Sequence, residues 1–107
     1  MIKALVNNSW KLFDINELQP GTSVFNFETG LYETIRTRDH RPILLTPHLD
    51  RLFNSAKSTS LKTSFHRKKV ESMIMQVIES SPEPDQRVRV LLVPDKVIIY
   101  TLSLIHI

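Results

Sequence analysis

Leu31-Tyr32-Glu33-Thr34-Ile35-Arg36-Thr37-Arg38-Asp39-His40-Arg41-Pro42-Ile43-Leu44-Leu45-Thr46-Pro47-His48-Leu49-Asp50-Arg51-Leu52-Phe53 changes its period midway, and that change decides the fold. Up to Arg38 the residues alternate in the period of two that belongs to a strand, with Tyr32, Thr34, Arg36 and Arg38 on one face and Leu31, Glu33, Ile35 and Thr37 on the other. The strand-like composition reaches back to Phe25, and Asp39-His40 turns it into a partner over Arg41–Leu45, which predicts a hairpin. Thr46 then offers an N-cap oxygen, and Pro47 stands at the first helical position, where a missing N–H does no harm. Leu49, Leu52, Phe53 and Ala56 recur at i, i+3, i+4 and i+7, an apolar stripe for a helix laid on a sheet, and His48, Arg51 and Ser55 are left off it.

Upstream, Ile2–Val6 and Trp10–Phe13 flank Asn7-Asn8-Ser9, whose residues tolerate the positive φ of a tight hairpin turn. Gln19-Pro20-Gly21 marks a second turn. Downstream, Val70, Met73, Ile74, Val77 and Ile78 share one face of a helix expected over about Phe65–Glu79. Ser80-Ser81-Pro82-Glu83-Pro84-Asp85 ends that helix, because neither proline can continue it. Arg87–Val93 and Lys96–Leu102 form a last hairpin around Pro94-Asp95. The order ββ-ββ-αα-ββ, without internal repeat, predicts an α+β fold in which a mainly antiparallel sheet of hairpins packs against two helices.

With 107 residues, 41% hydrophobic and 23% charged, one domain with its own core is expected. The chain has no cysteine, and its four histidines are scattered, so no metal site is expected. The N-terminus holds no signal-peptide core and no apolar run nears the roughly 20 residues that span a bilayer, so a cytoplasmic location and no membrane partner are expected. A net charge of +3 and a pI near 9.5 raise the alternative of a small non-catalytic basic domain that holds nucleic acid through Arg67, Lys68, Lys69, Arg87 and Arg89. His66-Arg67-Lys68-Lys69 lies near a helix start without interleaved aromatic residues, so a solvated helix face, and no nucleic-acid partner, is the reading adopted.

Glu33 is the residue the pattern does not explain. It falls on the otherwise apolar strand face, where a carboxylate needs a basic or hydrogen-bonding partner such as His48 or an arginine. Gly30-Leu31-Tyr32-Glu33-Thr34-Ile35-Arg36 resembles the Gly-(Val/Leu)-(Phe/Tyr)-Glu-x-(Ile/Val)-Arg strand of the class IV aminotransferases, which are fold-type IV pyridoxal-phosphate enzymes. His48-Leu49-Asp50-Arg51-Leu52-Phe53-Asn54-Ser55-Ala56 is similar to that family's His-x-x-Arg-Leu-x-x-Ser-Ala helix, and Arg87–Val93 looks like the strand that follows the two helices. The family includes branched-chain aminotransferases, D-amino-acid aminotransferases and 4-amino-4-deoxychorismate lyases. Arg87–Val93 followed by Pro94-Asp95 and a further strand leans toward the lyase branch, with the two kinds of aminotransferase next.

The resemblance implies the small N-terminal domain of a two-domain enzyme that uses pyridoxal 5'-phosphate (PLP). Arg51 matches the arginine that binds the cofactor phosphate, a task suited to the planar fork of guanidinium donors. Tyr32 and Arg36 match positions on the substrate side, Phe27 and Thr34 share their strand face, and Arg89 matches an arginine near the substrate carboxylate, with Arg87 on its face. Glu33 and His48 are expected to support Arg51 from behind. Without the motifs, Arg87 and Arg89 would read as solvated edge-strand charges. The family's Gly-Asp-Gly stands here as Glu28-Thr29-Gly30, so the approach to the site is expected to differ.

The family's Schiff-base lysine and the carboxylate that pairs with the pyridine nitrogen belong to a second domain, and no lysine of this chain fits the role. No catalytic residue is therefore expected here, and the chain alone is expected to be inactive. The implied substrate is an amino acid or an aminodeoxychorismate-like molecule, and the implied assembly is a homodimer. Leu102-Ser103-Leu104-Ile105-His106-Ile107 matches one reading frame of a widely used transposase sequencing adapter, so residues 1–101 are expected to be the domain and 102–107 a non-native tail. A stand-alone domain that pairs through Val97-Ile98-Ile99-Tyr100 is the third alternative.

Overall fold

The structure, a computed structural model, describes residues 2–18, 30–59, 66–94 and 96–103. Two positive-φ residues, Asn7 and Asn8, close the hairpin of β1 (Ile2–Val6) and β2 (Ser9–Phe13), as the short polar side chains led us to expect. A 3-10 turn over Ile15–Leu18 follows. β3 (Leu31–Arg38) turns at Asp39 and His40, again both at positive φ, into the two-residue β4 (Arg41–Pro42). Helices α1 (Leu45–Ser58) and α2 (Arg67–Glu79) come next, and β5 (Gln86–Val93) and β6 (Lys96–Ser103) end the described chain. The strands form one antiparallel sheet in the order β2-β1-β6-β5-β3-β4, with the helices against one face. The α+β expectation therefore holds.

Both sides of the sheet are apolar at the centre. Toward the helices, Leu5, Ile35, Val88, Val90, Leu92, Val97 and Ile99 pack with Leu49, Leu52 and Ala56 of α1 and with all five predicted stripe residues of α2. On the other face Ala4, Val6, Leu18, Leu91, Val93, Ile98 and Tyr100 make a second cluster, which Leu18 joins from the 3-10 turn. The buried Gln86 ties the elements at one end. Its Nε2 donates to Ile78 O (3.2 Å) and Glu83 O (2.6 Å), its Oε1 accepts from Thr101 Oγ1, and its backbone N–H donates to Thr37 Oγ1 (2.9 Å). The β3–β4 turn docks beside it, His40 N donating to Pro84 O (2.9 Å) and His40 Nε2 to Ser81 O (3.1 Å).

Three sequence expectations need correction. The strand expected over Arg41–Leu45 is only two residues long, because Pro42 offers no N–H to prolong the ladder and Leu44 leaves the extended region. The helix starts before Thr46-Pro47: Leu44, in the left-handed conformation (φ 56, ψ 40), is its N-cap, and His48 N donates to Leu44 O (3.2 Å). Pro47 still lies within the first turn, where no intrahelical donor is missed. The second helix begins at Arg67 rather than Phe65. Phe65 lies outside the described residues, as do Gln19-Pro20-Gly21, Phe27, Glu28-Thr29 and residues 104–107, while Leu102 and Ser103 continue β6 opposite Arg87 and Gln86.

Leucine at positive φ costs roughly 1–2 kcal/mol, because Cβ crowds the following carbonyl. Leu44 is 65% exposed, so little burial offsets that cost. Leu44→Gly is therefore expected to raise stability by about 0.5–1 kcal/mol, measured as an increased urea midpoint at unchanged slope. A lower midpoint would mean that the Leu44 side chain holds the turn.

Candidate functional site

Alternation along β3 distributes the candidate residues over two faces. Glu33 points toward the helices and is buried, between Leu31 and Ile35 on the same side. His48 and Arg51 stand three positions apart on α1 and so share the side of the helix that meets Glu33. His48 Nδ1 lies 2.6 Å from Glu33 Oε1, Arg51 Nε donates to Glu33 Oε2 (3.2 Å), and Arg51 Nη2 donates to Glu33 Oε1. The guanidinium thus grips both carboxylate oxygens, the geometry that distinguishes arginine from lysine.

Burial pushes the Glu33 carboxyl up, yet the hydrogen bonds and charges of Arg51 and His48 outweigh it and hold the group below the usual carboxylate range. Glu33 raises Arg51 in turn, chiefly through their hydrogen bond. An ionised Glu33 can only accept, so His48 Nδ1 must carry the proton between them. That proton leaves Nδ1 no lone pair for Arg51 Nη2, which stands 3.3 Å away, and the carboxylate is what binds these two groups together. The buried carboxylate that looked out of place in the sequence therefore has both of the partners it needed.

The other face carries Tyr32, Thr34 and Arg36 on β3 and Arg87 and Arg89 on β5. Thr34 pairs with Arg89 and Arg36 with Arg87, while β6 places Tyr100 beside Arg89. Arg89 Nη1 donates to Tyr100 Oη (3.4 Å), and Arg89 Nε is buried with no hydrogen-bond partner among the described residues. Tyr32 is 47% exposed. Phe27 lies outside the described residues. Sequence reasoning missed Tyr100, although a two-residue connection between Val93 and Lys96 sets the hairpin register that pairs Tyr100 with Arg89.

The structure does not bring Arg51 onto the Tyr32–Arg36–Arg89 face. The two groups flank one feature instead, the outer edge of β3, which from Leu31 to Ile35 has no strand partner among the described residues because β4 pairs only with Thr37 and Arg38. The five basic residues of the nucleic-acid alternative share no surface. Arg67 is tied to Asp50, Glu71 and Thr46 O between the helices, and Arg87 and Arg89 lie across the sheet. No helix among the described residues is long and apolar enough to cross a membrane.

Residues 30–98 match the family model of amino-transferase class IV, and the chain belongs to that family. Among solved structures it is similar to a branched-chain amino acid aminotransferase of Escherichia coli, with a TM-score of 0.76 at 17% identity, over 95% of this chain and 40% of that one. A branched-chain aminotransferase from the thermophilic archaeon Thermoproteus uzoniensis, solved with norvaline, gives a TM-score of 0.73 at 17% identity, over 95% and 40%. A protein provisionally classed as a 4-amino-4-deoxychorismate lyase gives 0.64 at 20% identity, over 76% and 33%. No curated protein matches. The chain spans about 40% of the length of the aminotransferases it resembles.

Proposed function

We propose that this chain is the small N-terminal domain of a PLP-dependent class IV enzyme, an aminotransferase or a 4-amino-4-deoxychorismate lyase, and that Arg51 holds the cofactor phosphate. The carrying observation is the state of the Arg51 guanidinium. Glu33 fixes Nε and Nη2, the side chain is 67% exposed, and the Nη1 donors have no partner among the described residues. A planar donor edge held from behind and open in front suits two oxygens of a phosphate monoester. The residues present therefore fit the group.

In this reading Glu33 is a positioning residue. Its two bonds spare Arg51 the side-chain entropy of being ordered only when the phosphate arrives. His48 fills the remaining space on Glu33 Oε1 and keeps the carboxylate turned to Arg51. Tyr32, Thr34, Arg36 and Arg89 form the substrate wall across the β3 edge, with Phe27 assigned to the same wall. Arg89 Nε, buried without a hydrogen-bond partner among the described residues, supports an anionic substrate group there, since an unpaired buried N–H is costly until something occupies it. When bound, PLP supplies the electron sink for proton transfer at the substrate α-carbon.

The remaining machinery, including the Schiff-base lysine, is assigned to a second domain, the substrate to the amino acids or an aminodeoxychorismate-like molecule, and the full enzyme to a cytoplasmic homodimer. Residues 1–101 are taken as the domain and 102–107 as an added tail. The lyase lean rests only on the β5–β6 segment, while the branched-chain enzymes are the more extensive structural matches.

The test uses pyridoxamine 5'-phosphate, which has no aldehyde to react with surface lysines, and its phosphate-free counterpart, pyridoxamine. The chain is expected to bind the phosphorylated form at least about tenfold more tightly, as one charge-assisted contact implies, with a 31P shift on binding that Arg51→Ala abolishes. Equal affinity for the two compounds would overturn the role of Arg51.

A further inference from the structure

Arg38 and Arg41 face each other across the β3–β4 turn as a directly paired couple on either side of Asp39-His40. Direct pairing sets their Cβ atoms about 5 Å apart, and like charges so placed are destabilising by themselves. Both residues are exposed, and neither makes an ion pair among the described residues.

The turn that carries them is held from outside the hairpin. Thr37 Oγ1 donates to Pro84 O (3.1 Å), Asp39 N to Asp85 Oδ1 (3.2 Å) and His40 N to Pro84 O (2.9 Å). Asp39 (φ 51) and His40 (φ 61) both take the positive φ of a tight two-residue turn, and Ile43 N donates back to Arg36 O (2.8 Å). The two guanidinium groups thus stand on a backbone with little freedom, and a ligand that engages both does not have to order the loop beneath them.

Beside the pair lies a cleft of about 510 Å³, open to solvent and lined by Arg38, Asp39, Arg41, Pro42 and Ile43. Its size is that of small-molecule sites, which run from roughly 300 to 1,000 Å³. The polar lining sets two cations against the Asp39 carboxylate, and the apolar lining is Pro42 with the partly exposed Ile43. Arg38 lies five residues beyond Glu33 along β3 and on the opposite face, about 17 Å away at the strand rise, so the cleft is separate from the Arg51 site.

We infer that this cleft is a second ligand site that takes an organic phosphate, with the phosphate between Arg38 and Arg41 and an apolar body on Pro42 and Ile43. Each guanidinium fork can meet two phosphate oxygens, and a dianion relieves the repulsion within the pair. Asp39 opposes the anion and lowers its affinity. The site stands independently of the role proposed for Arg51.

The probes are phenyl phosphate, the neutral benzyl alcohol, and inorganic phosphate. Each is titrated into the chain at constant ionic strength near pH 7.5, about 1.5 units above the second phosphate pKa, and followed by NMR of the Arg38 and Arg41 side-chain N–H groups. Phenyl phosphate is expected to bind at the turn about tenfold or more tightly than benzyl alcohol, the gain of one charge-assisted contact. It should also bind about threefold or more tightly than inorganic phosphate, the effect of burying roughly one methylene's worth of apolar surface. Arg38→Gln and Arg41→Gln should each weaken phenyl phosphate about tenfold, and Asp39→Asn should tighten it. Lys57→Gln removes the same charge about 18 Å along α1 from its first residue and should change nothing, as should Arg51→Ala. Phenyl phosphate bound no better than benzyl alcohol would overturn the site, and so would an equal loss in Lys57→Gln, the behaviour of diffuse charge. Inorganic phosphate bound as tightly as phenyl phosphate would overturn the organic-phosphate assignment, and loss of the turn signals in Arg51→Ala would overturn the separation from the cofactor site.

Discussion

Ile99→Ala is expected to destabilise the domain by about 2–5 kcal/mol, the cost of removing a buried aliphatic side chain and leaving a cavity. Ile99 is fully buried in β6, paired with Val90 on one side and Leu5 on the other, and faces the helices. It therefore sits where three strands and the helical layer meet, and no neighbour can collapse into the space without moving a whole element. Against the 5–15 kcal/mol typical of a native domain this is a large share. For a domain of this size it corresponds to a drop in Tm of roughly 10 °C or more. Thermal unfolding read by circular dichroism would show it. Leu12→Ala, at a site 65% exposed on β2, serves as the control and should change stability by no more than about 0.5 kcal/mol. Comparable losses in the two variants would contradict the placement of the core.

Glu33→Gln is the second large effect, and its signature is in its pH dependence. Hydrogen bonds to charged groups contribute about 1.5–3 kcal/mol, and the amide keeps the shape of the carboxylate while losing its charge, so a loss of that order is expected at pH 7. Because Arg51 and His48 hold the folded carboxyl below its unfolded value, the native state resists protonation of Glu33. The stabilisation from this group is therefore fully present above the unfolded value of about 4.5 and is lost as pH falls through the lower, folded one. Denaturant titrations of the chain and of Glu33→Gln should give curves that lie apart at neutral pH and converge in acid. A constant gap across the acid range would show that Glu33 acts by shape and not by charge. Arg51 and His48 are the groups that face it, so the same variant should also loosen the phosphate contact in the pyridoxamine 5'-phosphate titration.

Much of this was legible in the residues. The α2 stripe of Val70, Met73, Ile74, Val77 and Ile78 is buried as its spacing predicts, because a helix with one apolar face has one way to lie on a sheet. Asn7-Asn8 and Asp39-His40 adopt the positive φ that their side chains tolerate. The odd carboxylate among apolar neighbours signalled the Glu33–His48–Arg51 contact, since desolvation leaves such a group few alternatives. Leu44 was not legible. Its left-handed backbone is imposed by the need to turn from β4 into α1 within two residues, a tertiary demand that leucine itself does not announce. Gln86 fell between the expected loop, Ser80–Asp85, and the expected strand, Arg87–Val93, and drew no reading, because its network draws on Ile78, Glu83, Thr37 and Thr101, which only the folded chain gathers. The second apolar cluster escaped for the same reason, since Leu18 and Tyr100 come together only when the sheet is assembled.

The strand order has a consequence for how the chain reaches this state. β1 pairs with β6, joining residues 4–6 to 98–100, and the amide of Asn7 donates to Val97 O (3.0 Å) while its side-chain oxygen accepts from the Val97 amide (2.8 Å). During synthesis the first hairpin emerges without its sheet neighbour and waits for nearly all of the described chain before it can dock. Closing so long a loop is entropically slow, and until it closes β1 offers an open edge to other chains. The β1–β2 hairpin is thus the segment most dependent on chaperone cover at the ribosome, and its docking is the expected last step of folding.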